Sequence, residues 1–113
     1  MAYTPERGDL VWLNFTPQQG NEQRGVRPAV VISPMKYNKK TGLAICCPIT
    51  STAKGYPFEV KITGKKISGV ILSDHIKSLD WKIRKAKFIE KVSAKSFNEC
   101  IAKLSVLIIS QSL

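Results

Sequence analysis

At 113 residues and 43% hydrophobic content, the chain is long enough for one core and needs no disulfide or metal to hold it. Eighteen Lys and Arg against eight Asp and Glu leave a net charge of +10, which points to a polyanionic partner without choosing among nucleic acid, an acidic protein tail and anionic lipid. No apolar run approaches the roughly 18 residues that span a bilayer, and Met1-Ala2-Tyr3-Thr4-Pro5-Glu6-Arg7 lacks the basic-then-apolar order of a signal peptide, so a cytoplasmic protein without a membrane partner is expected.

Short apolar runs separated by turn residues predict strands at Leu10 to Phe15, Pro28 to Ser33 and Leu43 to Ile49, the last following a turn at Lys39-Lys40-Thr41-Gly42. Phe58-Glu59-Val60-Lys61-Ile62 alternates strictly, which sends Phe58, Val60 and Ile62 to a core and Glu59 and Lys61 to water. Val70 to Leu72 and Lys87 to Val92 are further strands. After Val92 the period changes: Phe97, Cys100, Ile101, Leu104, Leu107 and Ile108 recur at threes and fours, one face of a helix, with Ser93 as its N-cap. The predicted fold is mainly β with a C-terminal α-helix, a small barrel that limits exposed strand edges, as a single domain over 1–113.

Three cysteines, two of them adjacent, read as reduced and buried. Neighbours in a strand point to opposite faces, so Cys46 and Cys47 cannot easily share an ion, and His75 is the only histidine; no metal and no cofactor is expected.

Two polar loops flank strands, Thr16 to Arg27 and Thr50 to Pro57, where a rigid scaffold can hold functional groups. Arg27 precedes Pro28, which biases it to an extended backbone, and its guanidinium suits bidentate phosphate binding as well as an ordinary surface salt bridge. Thr50 ends a strand and offers a hydroxyl; Ser51 and Thr52 extend the run, which a local Ser/Thr turn also explains. Lys54 suits an RNA backbone or plain solvation, and Trp12 suits the core better than base stacking.

Gly8-Asp9-Leu10-Val11-Trp12, then Glu22-Gln23-Arg24-Gly25-Val26-Arg27-Pro28-Ala29-Val30-Val31-Ile32-Ser33-Pro34, then Pro48-Ile49-Thr50-Ser51 and Lys54-Gly55-Tyr56-Pro57-Phe58 follow one another in an order and spacing that resemble the MazF/PemK family. The similarity runs from about Gly8 to Ile108, and the Gly-Tyr-Pro-Phe segment with Asn38-Lys39-Lys40-Thr41-Gly42 looks like the chromosomal MazF branch in particular. The resemblance implies an SH3-like small β-barrel with a C-terminal helix, a homodimer, and the toxin of a type II toxin–antitoxin pair that cuts single-stranded RNA at a short sequence. It implies an antitoxin with an acidic, disordered C-terminal tail over the RNA groove, and a toxin–antitoxin complex that reaches operator DNA through the antitoxin. It carries catalytic roles to Arg27, Thr50 and Glu22, and RNA contacts to Gln23, Ser51, Lys54, Asp74 and Lys77.

Metal-free RNA cleavage uses the substrate's own 2′-hydroxyl and leaves a 2′,3′-cyclic phosphate and a 5′-hydroxyl, so the protein positions the backbone, stabilises phosphate charge and moves two protons. A guanidinium keeps its positive charge at neutral pH, which suits Arg27 to clamping phosphate better than to accepting a proton. Plasmid-borne relatives of the Kid type place a base at the position of Asp74 and a basic acid two residues earlier, where this chain has Leu72; that pair does not transfer intact. Adjacency along a strand would turn His75 away from Asp74. Two other classes compete: a gyrase poison of the CcdB type, which the ending Ile108-Ile109-Ser110-Gln111-Ser112-Leu113 without Trp disfavours, and a non-catalytic nucleic-acid-binding barrel.

Overall fold

Leu43–Thr50, the third strand, is hydrogen-bonded on both sides, and the rest of the sheet is arranged around it. The computed structural model describes residues 2–15 and 25–109. In chain order these form β1 (Asp9–Asn14), β2 (Val26–Val31), α1 (Met35–Thr41), β3 (Leu43–Thr50), β4 (Glu59–Thr63), β5 (Ser68–Leu72), a 3-10 turn (Ser73–His75), β6 (Lys77–Asp80), β7 (Lys87–Lys91) and α2 (Ala94–Ile108). All pairings are antiparallel, in the order β4-β5-β3-β2-β1-β7, with β6 also on β3. One edge of β3 holds β2; the other is divided, Leu43 to Cys46 facing β6 and Ile49 to Thr50 facing β5. A strand whose edge serves two partners in succession forces the sheet to curl, and the result is a half-barrel.

Both faces of β1, β2 and β3 are covered. Leu10, Val30, Cys47 and Ile49 join Val60, Ile62, Ile71, Ile89 and Cys100 in the core beneath α2. Val11, Leu13, Ala29, Val31, Ala44 and Cys46 alternate to the opposite side, against Phe15, Leu79 and Trp81. Cys46 and Cys47 therefore lie in different cores, and all three cysteines are reduced and buried. Ser93 caps α2 by accepting the Ser96 amide at 3.1 Å. Ser96 Oγ and Lys103 Nζ donate to the carbonyls of Lys61 and Glu59 at 3.0 and 2.8 Å, docking the helix on β4.

The structure departs from the periodicity in four places. The segment expected to turn at 39–42 is the end of α1, whose Gly42 cap has φ 76°. This helix is short and shows no apolar stripe because it is held through polar Asn38, which is fully buried. Strand β6 has one buried apolar residue, Leu79, too little for an alternation signal. In α2 the predicted apolar face stops early: Leu107 and Ile108 are 39% and 66% exposed, beyond the reach of the sheet. Asp74 and His75 lie in a 3-10 turn and not in a strand, so their side chains do not oppose one another; His75 Nε2 is 3.9 Å from Asp74 Oδ1. Among the described residues no helix is long and apolar enough to cross a membrane.

Asn38 ties three segments together. Its amide donates to the carbonyls of Pro5 and Ser33 at 2.9 and 3.0 Å, its Oδ1 accepts from the Ser33 hydroxyl, and its own carbonyl accepts from Trp81 Nε1 at 2.9 Å. Asn38→Leu keeps the branching and the number of side-chain heavy atoms but leaves buried carbonyls without donors, so urea unfolding should show a loss of about 3 kcal/mol.

Candidate functional site

The strand ends opposite α1 form the site. Ala29 pairs with Pro48, and the same antiparallel register carried two residues on sets Arg27 opposite Thr50. Both line a recess of about 310 Å3 with Ser51, Trp12, Ile67 and Ser68. A second recess of about 210 Å3 shares Thr50 and is bounded by Thr52, Lys54, Tyr56, Glu59 and His75. Thr50 is thus common to two adjoining hollows, with Arg27 in one and Lys54 in the other.

The hydroxyl of Thr50 accepts the Thr52 amide at 3.2 Å, the Ser/Thr turn the sequence allowed. That bond occupies an oxygen lone pair and leaves the hydroxyl proton to be donated into the recess. The loop beyond is held by Glu59, whose carboxylate accepts the amides of Lys54 and Gly55 at 3.0 Å each. Strict alternation marked Glu59 as a water-facing residue; in the fold it is half-buried and shapes the second recess.

Two further devices fix the walls. Gly69, on β5 beside Thr50, has φ 144°, and a Cβ there would stand 2.4 Å from the Thr50 carbonyl oxygen. The β4–β5 turn carrying Ile67 and Ser68 is pinned by Glu90 of β7, which accepts the amides of Lys65, Lys66 and Ile67 at 3.0, 2.9 and 3.1 Å. Those amide bonds, that of Lys66 foremost, hold the Glu90 carboxyl below its ordinary 4.5.

Of the residues singled out from sequence, Arg27, Thr50 and Ser51 meet in the first recess and Thr50 and Lys54 in the second. Asp74 is exposed and lines neither recess, though its carboxylate lies 3.9 Å from His75, which lines the second. Lys77 lines neither: it sits on β6 opposite Cys46, toward the middle of β3. Glu22 and Gln23 lie outside the described residues. Sequence reasoning missed Tyr56, Glu59 and His75 as wall residues and gave Trp12 to the core; Trp12 packs on the core and lines the first recess as well. An aromatic at the centre of Lys54-Gly55-Tyr56-Pro57, 62% exposed, was the one signal that could have drawn attention to the second recess. Among the described residues, no three His, Cys, Asp or Glu side chains converge as metal ligands.

The half-barrel with its C-terminal helix is the fold of the MazF toxins. The crystal structure of MazF from Deinococcus radiodurans superposes with a TM-score of 0.87 at 52% identity, covering 95% of this chain and 98% of that one. A MazE-MazF crystal structure from the same organism matches with a TM-score of 0.85 at 46% identity, over 95% of this chain and 97% of that one. The Endoribonuclease toxin MazF of Escherichia coli (strain K12) is 47% identical over 106 residues, 94% of this chain and 96% of the relative. The family model for the PemK-like, MazF-like toxin of type II toxin-antitoxin system matches residues 6–108, and the chain belongs to that family.

Gly69→Ala should displace Thr50, because backbone rather than a flexible side chain meets the new methyl; a shift of the Thr50 and Ser51 amide resonances, with a stability loss of about 1–3 kcal/mol, is the expected outcome. Glu90 supplies acid sensitivity. A carboxylate whose folded pKa is depressed stabilises fully above its ordinary 4.5 and loses that contribution as pH falls through the lower folded value, so stability should drop at acid pH and Glu90→Gln should flatten the drop in thermal melts taken across that range.

Proposed function

We propose that this toxin cleaves single-stranded RNA at the paired recesses around Thr50, with no metal required. The observation that carries the proposal is the placement of Arg27 and Thr50 at matching ends of β2 and β3, lining one recess in a protein of net charge +10. The endoribonuclease names of relatives up to 47% identical over nearly the whole chain support the same activity and weigh against a gyrase poison or a non-catalytic barrel.

In this scheme the RNA backbone lies across the first recess with its scissile phosphate between Arg27 and Thr50. The guanidinium takes two phosphate oxygens, and the Thr50 hydroxyl, its oxygen already bonded to the Thr52 amide, donates to a non-bridging oxygen. The adjacent 2′-hydroxyl attacks in line, forming the cyclic phosphate and releasing the 5′-hydroxyl. Ser51 and Lys54 continue the contacts on either side of Thr50, and Tyr56 offers a face on which a base stacks. Proton transfer falls to Glu22, from the family resemblance, or to His75, which lines the recess containing Thr50 with Asp74 3.9 Å away.

The same scheme gives this toxin a homodimeric state, a cytoplasmic site of action and an antitoxin whose acidic tail covers the basic groove. MazE-MazF complexes among similar structures support the antitoxin partner; operator DNA, reached through the antitoxin, rests on the family resemblance alone.

Purified protein should cut single-stranded RNA in the presence of EDTA. Arg27→Ala and Thr50→Val should each lower the rate by about 10²-fold or more while circular dichroism stays unchanged. Full activity in both variants would place the chemistry elsewhere; activity that disappears with EDTA would remove the metal-free scheme.

A further inference from the structure

Cys47 and Cys100 come from strand β3 and helix α2, far apart in sequence, and meet in one core with no exposed surface on either. Ser73 links them: the Cys47 thiol donates to its carbonyl at 3.7 Å and its hydroxyl donates to Cys100 Sγ at 3.4 Å. Their acidities separate: the neighbouring Cys47 thiol and the donated Ser73 hydroxyl favour a thiolate on Cys100 and bring it down to about 7, whereas Cys47, buried beside Cys100, is pushed up. Cys46 is a control placed by the fold itself. It follows β-alternation into the opposite core, its thiol donates to the Ala44 carbonyl at 3.6 Å, and burial pushes it up to about 12.

From the shared Ser73 bridge and the common core we infer that Cys47 and Cys100 are a latent disulfide site, closed by a peroxide-class oxidant. One serine holds both thiols, its carbonyl and hydroxyl orienting one sulfur as donor and the other as acceptor. The chemistry balances in two steps. The Cys100 thiolate attacks one oxygen of hydrogen peroxide and breaks the O–O bond, giving a sulfenic acid and, after protonation, water. The Cys47 sulfur, having lost its proton, then attacks the sulfenic sulfur and expels the hydroxyl as a second water, so two thiols are oxidised by two electrons and peroxide is reduced. Access comes through α2, the last element of the described chain, whose final turn stands clear of the sheet at Leu107, Ile108 and Ile109. The bridge would tie α2 to β3 three residues before Thr50, and would tighten the support of Ser73, which precedes the Asp74 and His75 turn at the second recess.

Full-length protein treated with hydrogen peroxide should lose about 2 Da by intact mass, recover it with dithiothreitol, and melt roughly 5 °C or more higher when oxidised. Tryptic mapping should join peptide 41–54 to peptide 96–103. Because the first of these holds both Cys46 and Cys47, Cys46→Ser should keep the bridge and Cys47→Val should lose it. The map on unaltered protein reads the pairing even if the valine variant folds poorly. An unchanged mass, an oxygen-bearing Cys100 without a bridge, a link through Cys46, or a cross-linked dimer would each overturn the inference.

Discussion

Everything in this fold that bears on function depends on the double pairing of β3. Its hydrogen bonds to β2 run along one edge while β6 and then β5 share the other, so the sheet has to bend where the second partner replaces the first. Thr50 sits at that end of the strand, flanked by Val70 of β5 on one side and, by continuation of the register, Arg27 of β2 on the other. A flat sheet would leave these ends splayed. The curl gathers them into adjoining recesses and lets Gly69, with no side chain, approach the Thr50 carbonyl.

A second regularity explains how so basic a protein keeps its positive field. Several of its few carboxylates are committed to main-chain amides: Glu6 to Arg7 and Met35, Asp9 to Glu6, Glu59 to Lys54 and Gly55, Asp80 to Lys82 and Ile83, Glu90 to the β4–β5 turn. Each staples a turn or loop. Asp9, buried, adds an ion pair with Lys91, while the net charge of +10 remains to attract a polyanion. Acidic residues here build the shape, and basic residues supply the attraction.

The strands were legible because their apolar residues alternate or run together where a face or two faces are covered, as in Val60 and Ile62 or in Val30 and Val31. Helix α2 was legible from its period and its Ser93 cap. Helix α1 was not, because polar bonds from Asn38 rather than an apolar stripe hold it, and β6 was not, because Leu79 alone marks it. Arg27, Thr50, Ser51 and Lys54 were found through loop placement and family resemblance; Tyr56, Glu59 and His75 belong to the same walls and carry no local pattern that says so.

By itself the sequence determined the class: a basic, β-rich chain with a C-terminal helix and the motif order of the MazF and PemK toxins, because composition and periodicity are properties of neighbours along the chain. Only the tertiary structure decided which residues share a recess. That depends on strand register and sheet curl, which join Arg27 to Thr50, put Lys77 elsewhere, and set Cys47 against Cys100 while sending adjacent Cys46 to the other core. Pairing across a sheet is set by hydrogen bonds between distant segments, and the order of residues does not display it.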